Sequence, residues 1–212
     1  MNCKLVGNFV QRLEVTLAPG EDFYAEKGSL IYFESGIEKE IGFNGSGLGR
    51  LIGAKISGES LFILRLYNNS SIQKKLVIGS KNGLLPIKIQ GETLICNKGV
   101  YVASNNRVDI TTKVSIKGLI GGMGLFLQKI SGSSTVFLDT VDTPIQLQLN
   151  AGESIEVDEN HIIALRNVNE SQLSSNWSLG NLLGGEGLSM LKITGPGQVY
   201  LSPGKLIAET EG

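Results

Sequence analysis

The stretch Ser60–Leu66, which reads Ser-Leu-Phe-Ile-Leu-Arg-Leu, returns twice along the chain. It recurs as Gly-Leu-Phe-Leu-Gln-Lys-Ile at Gly124–Ile130 and as Gly-Leu-Ser-Met-Leu-Lys-Ile at Gly187–Ile193. The first two copies are 64 positions apart and the last two are 63 positions apart. A segment that recurs at a nearly fixed spacing is typical of a repeat architecture. The sequence therefore predicts three copies of one structural unit.

A second feature recurs in the same order, because a Gly-Glu dipeptide precedes each copy of the stretch. The dipeptides are Gly20-Glu21, Gly91-Glu92 and Gly152-Glu153. Eight residues after each glycine comes a residue that tolerates positive φ: Gly28, Gly99 and Asn160. Apolar residues alternate with polar ones before each dipeptide, which is the period of a half-buried strand. We therefore predict a strand before each dipeptide and a tight turn at each of these last three residues.

The fold class follows from composition and periodicity. The chain has 212 residues with 28 glycines and five prolines, which fits many tight turns. Short strand patterns separated by turn residues predict an all-β protein, and three similar units predict a pseudo-threefold β-prism. We expect one domain, 1–212, with repeats at about 1–80, 81–140 and 141–212, because no single unit buries its apolar face alone. Two smaller expectations are a short helix within 167–174 and a last strand over 205–208.

Charge and cysteine content limit the function classes. The net charge is −1 and Lys74-Lys75 is the only basic pair, so the chain lacks the basic surface of a nucleic-acid binder. Cys3 and Cys96 are far apart and outside any CxxC pair, which favours reduced cysteines. The sequence has no signal-peptide pattern at its start and no run of 18 apolar residues. We therefore expect a cytoplasmic protein.

Residue types that would indicate catalysis or cofactor binding are sparse. His161 is the only histidine, too few for the metal sites of β-barrel enzymes, and its place after Asn160 predicts an exposed hairpin residue. Asp158 and Glu159 would attract a hard cation only weakly. The glutamates Glu21, Glu92 and Glu153 recur at a turn, which favours a structural role over acid–base catalysis. We expect no catalytic residue, no metal, no cofactor and no enzymatic activity.

Three glycine-rich loops are the most informative feature for function. They lie at Asn44–Gly53, Lys117–Gly124 and Leu179–Gly187. Each places large apolar side chains among its glycines: Leu48, Leu51 and Ile52; Leu119, Ile120 and Met123; Leu179, Leu182 and Leu183. In a prism these loops share one end of the molecule. If the side chains point outward they form an apolar patch, which is typical of a protein or membrane interface. If they fold inward they cap the core, and the sequence leaves both alternatives open.

Two functional hypotheses remain. The first is a non-enzymatic scaffold or interaction module that uses the loop end to bind a protein partner, a peripheral membrane surface or a second copy of itself. The second is a small-ligand-binding protein or enzyme with a site in a groove between repeats. The second hypothesis needs residues that break the threefold pattern, and the candidates are His161, Trp177 and Arg107.

A family resemblance rests on three of these motifs. The run Gly58–Leu66, the glycine-rich stretch Gly45–Gly53 before it and Gly195–Leu201 near the end are together similar to the altered inheritance of mitochondria protein 24 family. The resemblance covers nearly the whole chain. It implies three tandem β-sandwich repeats, each like the subunit of the trp RNA-binding attenuation protein, in a pseudo-threefold triangular prism. It also implies no established catalytic activity, and the family's mitochondrial members are associated with the inner membrane. RNA binding is not implied, because the chain is slightly acidic.

Overall fold

The computed structural model describes residues 1–43, 62–114, 127–176 and 190–206. The all-β prediction is confirmed, since these residues form antiparallel sheets, none of them closed, and contain no α-helix. Two short 3-10 turns, Glu159–His161 and Glu170–Gln172, are the helical elements of the described residues. Across the four described ranges, no helix has the length and apolar character needed to cross a bilayer.

The described residues form seventeen strands. The first nine are β1 (Asn2–Val6), β2 (Arg12–Leu17), β3 (Asp22–Glu26), β4 (Leu30–Phe33), β5 (Ile37–Phe43), β6 (Phe62–Asn68), β7 (Lys74–Gly79), β8 (Gly83–Asn97) and β9 (Tyr101–Ser104). The others are β10 (Asp109–Val114), β11 (Leu127–Thr140), β12 (Ile145–Leu149), β13 (Ser154–Asp158), β14 (Ile162–Arg166), β15 (Leu173–Asn176), β16 (Met190–Thr194) and β17 (Gly197–Leu201).

The first of two compact units comprises Met1–Gly91, Tyr101–Thr111 and Ser131–Asp139. One of its sheets has the strand order β1-β2-β7-β4, and the other has the order β11-β9-β3-β6-β5. Alternate residues of both sheets point into one core, where Leu13, Leu66 and Leu76 are fully buried. The rings of Phe23 and Phe137 meet there with centroids 6.4 Å apart. This unit is thus a β-sandwich around an apolar core.

The second unit comprises Glu92–Val100, Thr112–Ile130 and Thr140–Gly212. One of its sheets has the order β12-β17-β14-β8, and the other has the order β13-β16-β15. Both sheets contribute to a separate core, whose fully buried members include Ile162, Leu165, Ile193 and Val199. The strands β8 and β11 contribute residues to both units.

The same bulged strand pairing occurs in three places. In β4 against β7, Leu30 faces Ile78 and Tyr32 faces Val77, so that one residue between them is extra. The same shift of register, with one extra residue on one strand, occurs where β9 pairs with β11 and where β14 pairs with β17. The extra residues are Ile31, Val102 and Ile163. Val102 and Ile163 are buried, whereas Ile31 is 60% exposed. A β-bulge is a specific local feature, and its recurrence at matching positions accords with the predicted repeat.

The tight turns predicted at Gly28, Gly99 and Asn160 are all present, although only the two glycines among them have positive φ. The dipeptide glycines Gly20, Gly91 and Gly152 all have positive φ, at 79°, 94° and 86°. Gly28 and Gly99, eight residues later, also have positive φ. The third turn is of a different kind, because Asn160 lies in the 3-10 turn Glu159–His161 and does not have positive φ. The Asp158 side chain accepts the backbone N–H of Asn160 at 2.9 Å and so stabilises this alternative turn.

Two smaller expectations have mixed outcomes. The short helix predicted within 167–174 is a single 3-10 turn at Glu170–Gln172. The last strand predicted over 205–208 is not formed at residues 205 and 206, and the rest of it lies outside the described residues. Instead, the Leu206 N–H donates to the Asn160 carbonyl at 2.8 Å. The single-domain organisation and the pseudo-threefold prism stay predictions.

Candidate interaction surfaces

The nine apolar loop residues named from the sequence all lie outside the described residues. The strands that flank the three loops are described, however. Phe43 at the end of β5 faces Phe62 at the start of β6. Asn176 at the end of β15 faces Met190 at the start of β16. The middle loop runs from β10 to β11, and these strands also pair. Each loop therefore connects two neighbouring strands of one sheet, and the first and third loops connect strand ends that pair directly.

The base of the first loop carries apolar side chains near the surface. Ile41, two residues before the end of β5, is 49% exposed. The Lys27 ammonium lies 5.1 Å from the centroid of the Phe62 ring, within the range of a cation–π contact. This hairpin base thus presents apolar groups together with one positive charge.

Glu21 and Glu153 stabilise their turns in the same way. Glu21 Oε2 accepts the Ala18 N–H at 2.8 Å, and the Glu21 N–H donates to the Ala18 carbonyl at 3.1 Å. Glu153 Oε2 accepts the Asn150 N–H at 2.7 Å, and the Glu153 N–H donates to the Asn150 carbonyl at 3.1 Å. Hydrogen bonds from the Met1 ammonium and from the Ala18 N–H lower the pKa of Glu21. The hydrogen bond from the Asn150 N–H lowers the pKa of Glu153. These contacts favour the structural role expected for both glutamates.

Glu92 differs from the other two dipeptide glutamates, because it lies within strand β8, so the prediction that it sits at a turn is wrong. It forms an ion pair with Arg166 on the surface of the second unit, where each side chain is less than a third exposed. Arg166 faces Gln198 across the β14–β17 pair. The Tyr200 hydroxyl donates to Gln198 Oε1 at 3.1 Å. This sheet face therefore carries a polar cluster.

A shallow depression lies on the same face of the second unit. It has a volume of about 170 Å³ and is lined by Gln146, Leu147, Gln148, Gln198, Val199 and Tyr200. Ligand pockets usually enclose about 300–1,000 Å³ and bury most of their ligand. The depression is smaller than that and open, so it favours contact with a surface or strand over enclosure of a small molecule.

Arg65 is the centre of a polar network on the first unit. Its Nε donates to Asp22 Oδ2 at 2.7 Å, and its Nη1 donates to Glu40 Oε2 at 3.2 Å. The guanidinium also lies 5.2 Å from the Tyr67 ring centroid. The hydrogen bond to Asp22 is the main cause that raises the pKa of Arg65 above its ordinary value. All the charges involved are partly exposed and mutually paired, which is typical of a solvated sheet face.

The three residues proposed for a ligand site have separate surroundings. His161 is half-buried, and its Nδ1 lies 2.8 Å from the Ser202 carbonyl in the second unit, so the prediction of an exposed hairpin residue is wrong. Arg107 is exposed in the first unit. Trp177 lies outside the described residues. Asp158 already accepts two hydrogen bonds from Asn160, which leaves it poorly suited to bind a cation.

Metal ligands and reactive thiols are scarce where the structure can be described. Within the four described ranges, no group of three or more His, Cys, Asp or Glu side chains converges. Cys3 and Cys96 are free thiols. Burial raises the pKa of Cys3 to about 11 and raises that of the fully buried Cys96 further. Both are therefore protonated and weakly nucleophilic at neutral pH.

Exposed apolar side chains also occur on an edge strand of the first unit. Ile31, Tyr32 and Phe33 of β4 are 60%, 52% and 37% exposed. β4 ends the sheet β1-β2-β7-β4 and pairs only with β7 among the described strands. Three consecutive large apolar residues at a sheet edge are unfavourable in water, so we expect this edge to be covered in the functional protein.

Gln128 is a buried polar residue that the sequence analysis did not single out. It is 3% exposed on β11, and its Nε2 has no hydrogen-bond partner among the described residues. The repeat register contained the signal, since the equivalent residues of the other copies of the recurring stretch are Leu64 and Leu191. An amide therefore occupies a position that the other two copies fill with leucine.

Comparisons with known proteins agree with this architecture. The family model described as mitochondrial biogenesis AIM24 matches residues 3–204. The uncharacterized protein M6_Spy0233 of Streptococcus pyogenes serotype M6 is 24% identical over 199 residues, which covers 89% of this chain and 79% of the relative. The crystal structure of SPYM3_0169 from Streptococcus pyogenes is similar with a TM-score of 0.71 at 22% identity, over 97% of this chain and 94% of that one. At this identity the structural match establishes a shared fold.

Proposed function

Because the chain belongs to the mitochondrial biogenesis AIM24 family, we propose that it is a non-enzymatic cytoplasmic scaffold that attaches to apolar surfaces through its three glycine-rich loops. A membrane surface is the first target we propose, and a protein partner is the second. The observation that carries the proposal is the placement of the loops. Each one, with its three large apolar residues, connects two neighbouring strands at the same point of the repeat.

We also propose the threefold repeat, arranged as a pseudo-threefold triangular prism, as the architecture that presents these loops. Three features support the repeat. The bulged pairing occurs three times, with Ile31, Val102 and Ile163 as the extra residues. The dipeptide glycine has positive φ three times. A basic residue occupies one position of the recurring stretch three times, as Arg65, Lys129 and Lys192.

The energetics of the loops suit reversible attachment. Burial of one Leu or Ile side chain contributes roughly 1.5–3 kcal/mol. A few such side chains offset the free-energy cost of association only in part, so several loops have to act together. Their apolar residues lack neighbouring clusters of lysine or arginine, and the whole chain has a net charge of −1. We therefore expect attachment to depend on apolar contact more than on the charge of the lipid headgroups.

The test is flotation with liposomes of neutral phosphatidylcholine. We expect the wild-type protein to float with the vesicles and the triple variant Leu51→Asp/Ile120→Asp/Leu182→Asp to stay at the bottom of the gradient. Each aspartate opposes burial in an apolar phase. The matched control adds the same charge at exposed positions outside the loops, with Asn8→Asp/Gln73→Asp/Ala151→Asp, and should float like the wild type.

Two results would contradict the membrane proposal. If neither the wild type nor the triple variant floats, membrane attachment is wrong, and capture of a protein by the wild type but not by the triple variant would favour the protein partner. If both float equally, the loops are not the contact surface. A thermal-shift screen with metals, nucleotides and lipids checks the non-enzymatic part of the proposal, since a strong and specific shift by a metal or nucleotide would favour a ligand-binding or enzymatic role.

A further inference from the structure

The outer edge of β12 is open in the second unit. β12 pairs with β17 through five residue pairs, from Ile145 opposite Leu201 to Leu149 opposite Gly197. β12 ends this sheet, and among the described residues no strand pairs with its other side. A strand edge of this kind presents a row of unpaired backbone N–H and C=O groups.

The corresponding edge of the first unit is covered by a strand. There β2 pairs with β7 as β12 pairs with β17, and Leu13 and Val15 take the places of Ile145 and Leu147. On its other side β2 pairs antiparallel with β1 through five residue pairs, from Asn2 opposite Thr16 to Val6 opposite Arg12. The fold thus accommodates one more antiparallel strand at this position.

β12 lacks the features with which proteins usually protect an open edge. Charged side chains occur on β1 (Lys4), on β5 (Glu38, Lys39 and Glu40) and on β13 (Glu156 and Asp158), all of which end their sheets. Two other edge strands are uncharged: β4 contains a bulge, and β15 (Leu-Ser-Ser-Asn) is polar at three of its four positions. β12 reads Ile-Gln-Leu-Gln-Leu, has a regular register with β17 and leaves Ile145 49% exposed. Charges and bulges oppose edge-to-edge pairing, and β12 has neither.

We propose that β12 of one chain pairs antiparallel with β12 of a second copy, with the two-fold axis at Leu147. In this register Leu147 faces its own counterpart, and Ile145 faces Leu149 of the other copy. Gln146 faces Gln148 of the other copy on the solvent side. An isologous contact requires a self-complementary surface, and an uncharged strand that alternates apolar and amide side chains meets that requirement.

The glutamine side chains fit each other in this register. Gln148 Nε2 donates to the Gly197 carbonyl at 3.1 Å and to the Leu149 carbonyl at 3.3 Å. The Oε1 atom of Gln148 is therefore available as an acceptor. Gln146 makes no side-chain hydrogen bond within the described part of the chain, and its amide N–H groups are available as donors. The Gln146 amide of each copy is therefore suited to donate to Gln148 Oε1 of the other.

The size of this contact indicates a reversible dimer. Five residue pairs span about 17 Å of strand at about 3.4 Å per residue. Stable interfaces usually bury about 1,200–2,000 Å² in total, which is more than a short strand pair provides. We therefore expect the dimer population to rise with protein concentration. The dimer goes beyond the proposed function. Because it does not involve the three loops, either proposal can fail without the other.

The test is sedimentation velocity of the full chain over a range of concentrations. We expect concentration-dependent dimerisation of the wild type and loss of the dimer in Gln146→Lys/Gln148→Lys, in which introduced lysines face each other across the two-fold axis. The matched variant Gln146→Lys/Gln148→Glu places each introduced lysine opposite an introduced glutamate, so it should keep the dimer and lose it as salt is added. Urea unfolding of both variants checks that they fold.

Four other outcomes would overturn the proposal. A wild type that is monomeric at every concentration removes the dimer. A dimer that survives the two lysines uses another surface. If both folded double variants are equally monomeric, this register is wrong. The triple loop variant Leu51→Asp/Ile120→Asp/Leu182→Asp should dimerise like the wild type, and loss of the dimer in that variant alone would assign dimerisation to the loops.

Discussion

At the scale of single residues, Gln128 illustrates what local patterns miss. The tetrapeptide Leu127–Ile130 reads Leu-Gln-Lys-Ile, and a glutamine next to a lysine in a strand is expected to face solvent. In the structure Leu127, Gln128 and Ile130 are all buried, since both faces of β11 are covered here. A strand that is covered on both faces loses the polar–apolar alternation on which sequence reasoning depends. The repeat register, with leucine in the other two copies, was the better guide to this position.

We predict that Gln128→Leu stabilises the protein. A buried amide nitrogen without a partner costs about 1–3 kcal/mol, and leucine removes that cost while it fills a similar volume. Urea unfolding should give a higher midpoint for Gln128→Leu than for the wild type. The control Gln128→Glu should lower the midpoint, because it buries a carboxylate. A lower midpoint for the leucine variant would mean that the amide has a partner in the native protein.

At the scale of elements, local turn chemistry was predictable where one residue determines the conformation. Gly28 and Gly99 have the positive φ expected of glycine at the predicted turns. Asn160 does not, because Asp158 two residues earlier accepts its N–H and forms a different turn. A competing side-chain hydrogen bond of this kind depends on neighbours outside the repeated motif. The pairing of β12 or β4 depends on strands far away in sequence, and hydrophobic periodicity alone does not identify those partners.

The Gly-Glu turns predict a pH effect on stability. The pKa values of Glu21 and Glu153 are lowered in the folded protein from an ordinary value of 4.5. Their contribution to stability is therefore complete above that value and is lost as the pH falls through the lower folded pKa. We expect Glu21→Gln/Glu153→Gln to lose less stability than the wild type on acidification from pH 7 to below 4.5. Urea midpoints at both pH values measure this, and equal losses would contradict the role of the two carboxylates.

At the scale of the whole molecule, composition and repeats predicted the class and the family. The all-β fold agrees with the periodicity, and the motifs that suggested the family lie within the matched range, 3–204. The nine loop residues were found from the sequence alone, because large apolar side chains among glycines stand out without a structure. The open edge of β12 was not found, since an edge is defined by the strand that is missing beside it. Its uncharged sequence became informative only once the sheet order was known.

The most direct test of the central claim, attachment through the loops, uses the chain's single tryptophan. Trp177 follows β15 and lies two residues before Leu179 of the third loop. We predict that phosphatidylcholine vesicles shift the Trp177 emission of the wild type to shorter wavelength and protect it from acrylamide quenching. The variant Leu51→Asp/Ile120→Asp/Leu182→Asp should show neither change. Emission and quenching of the wild type that stay unchanged at saturating vesicle concentration would contradict attachment through the loops.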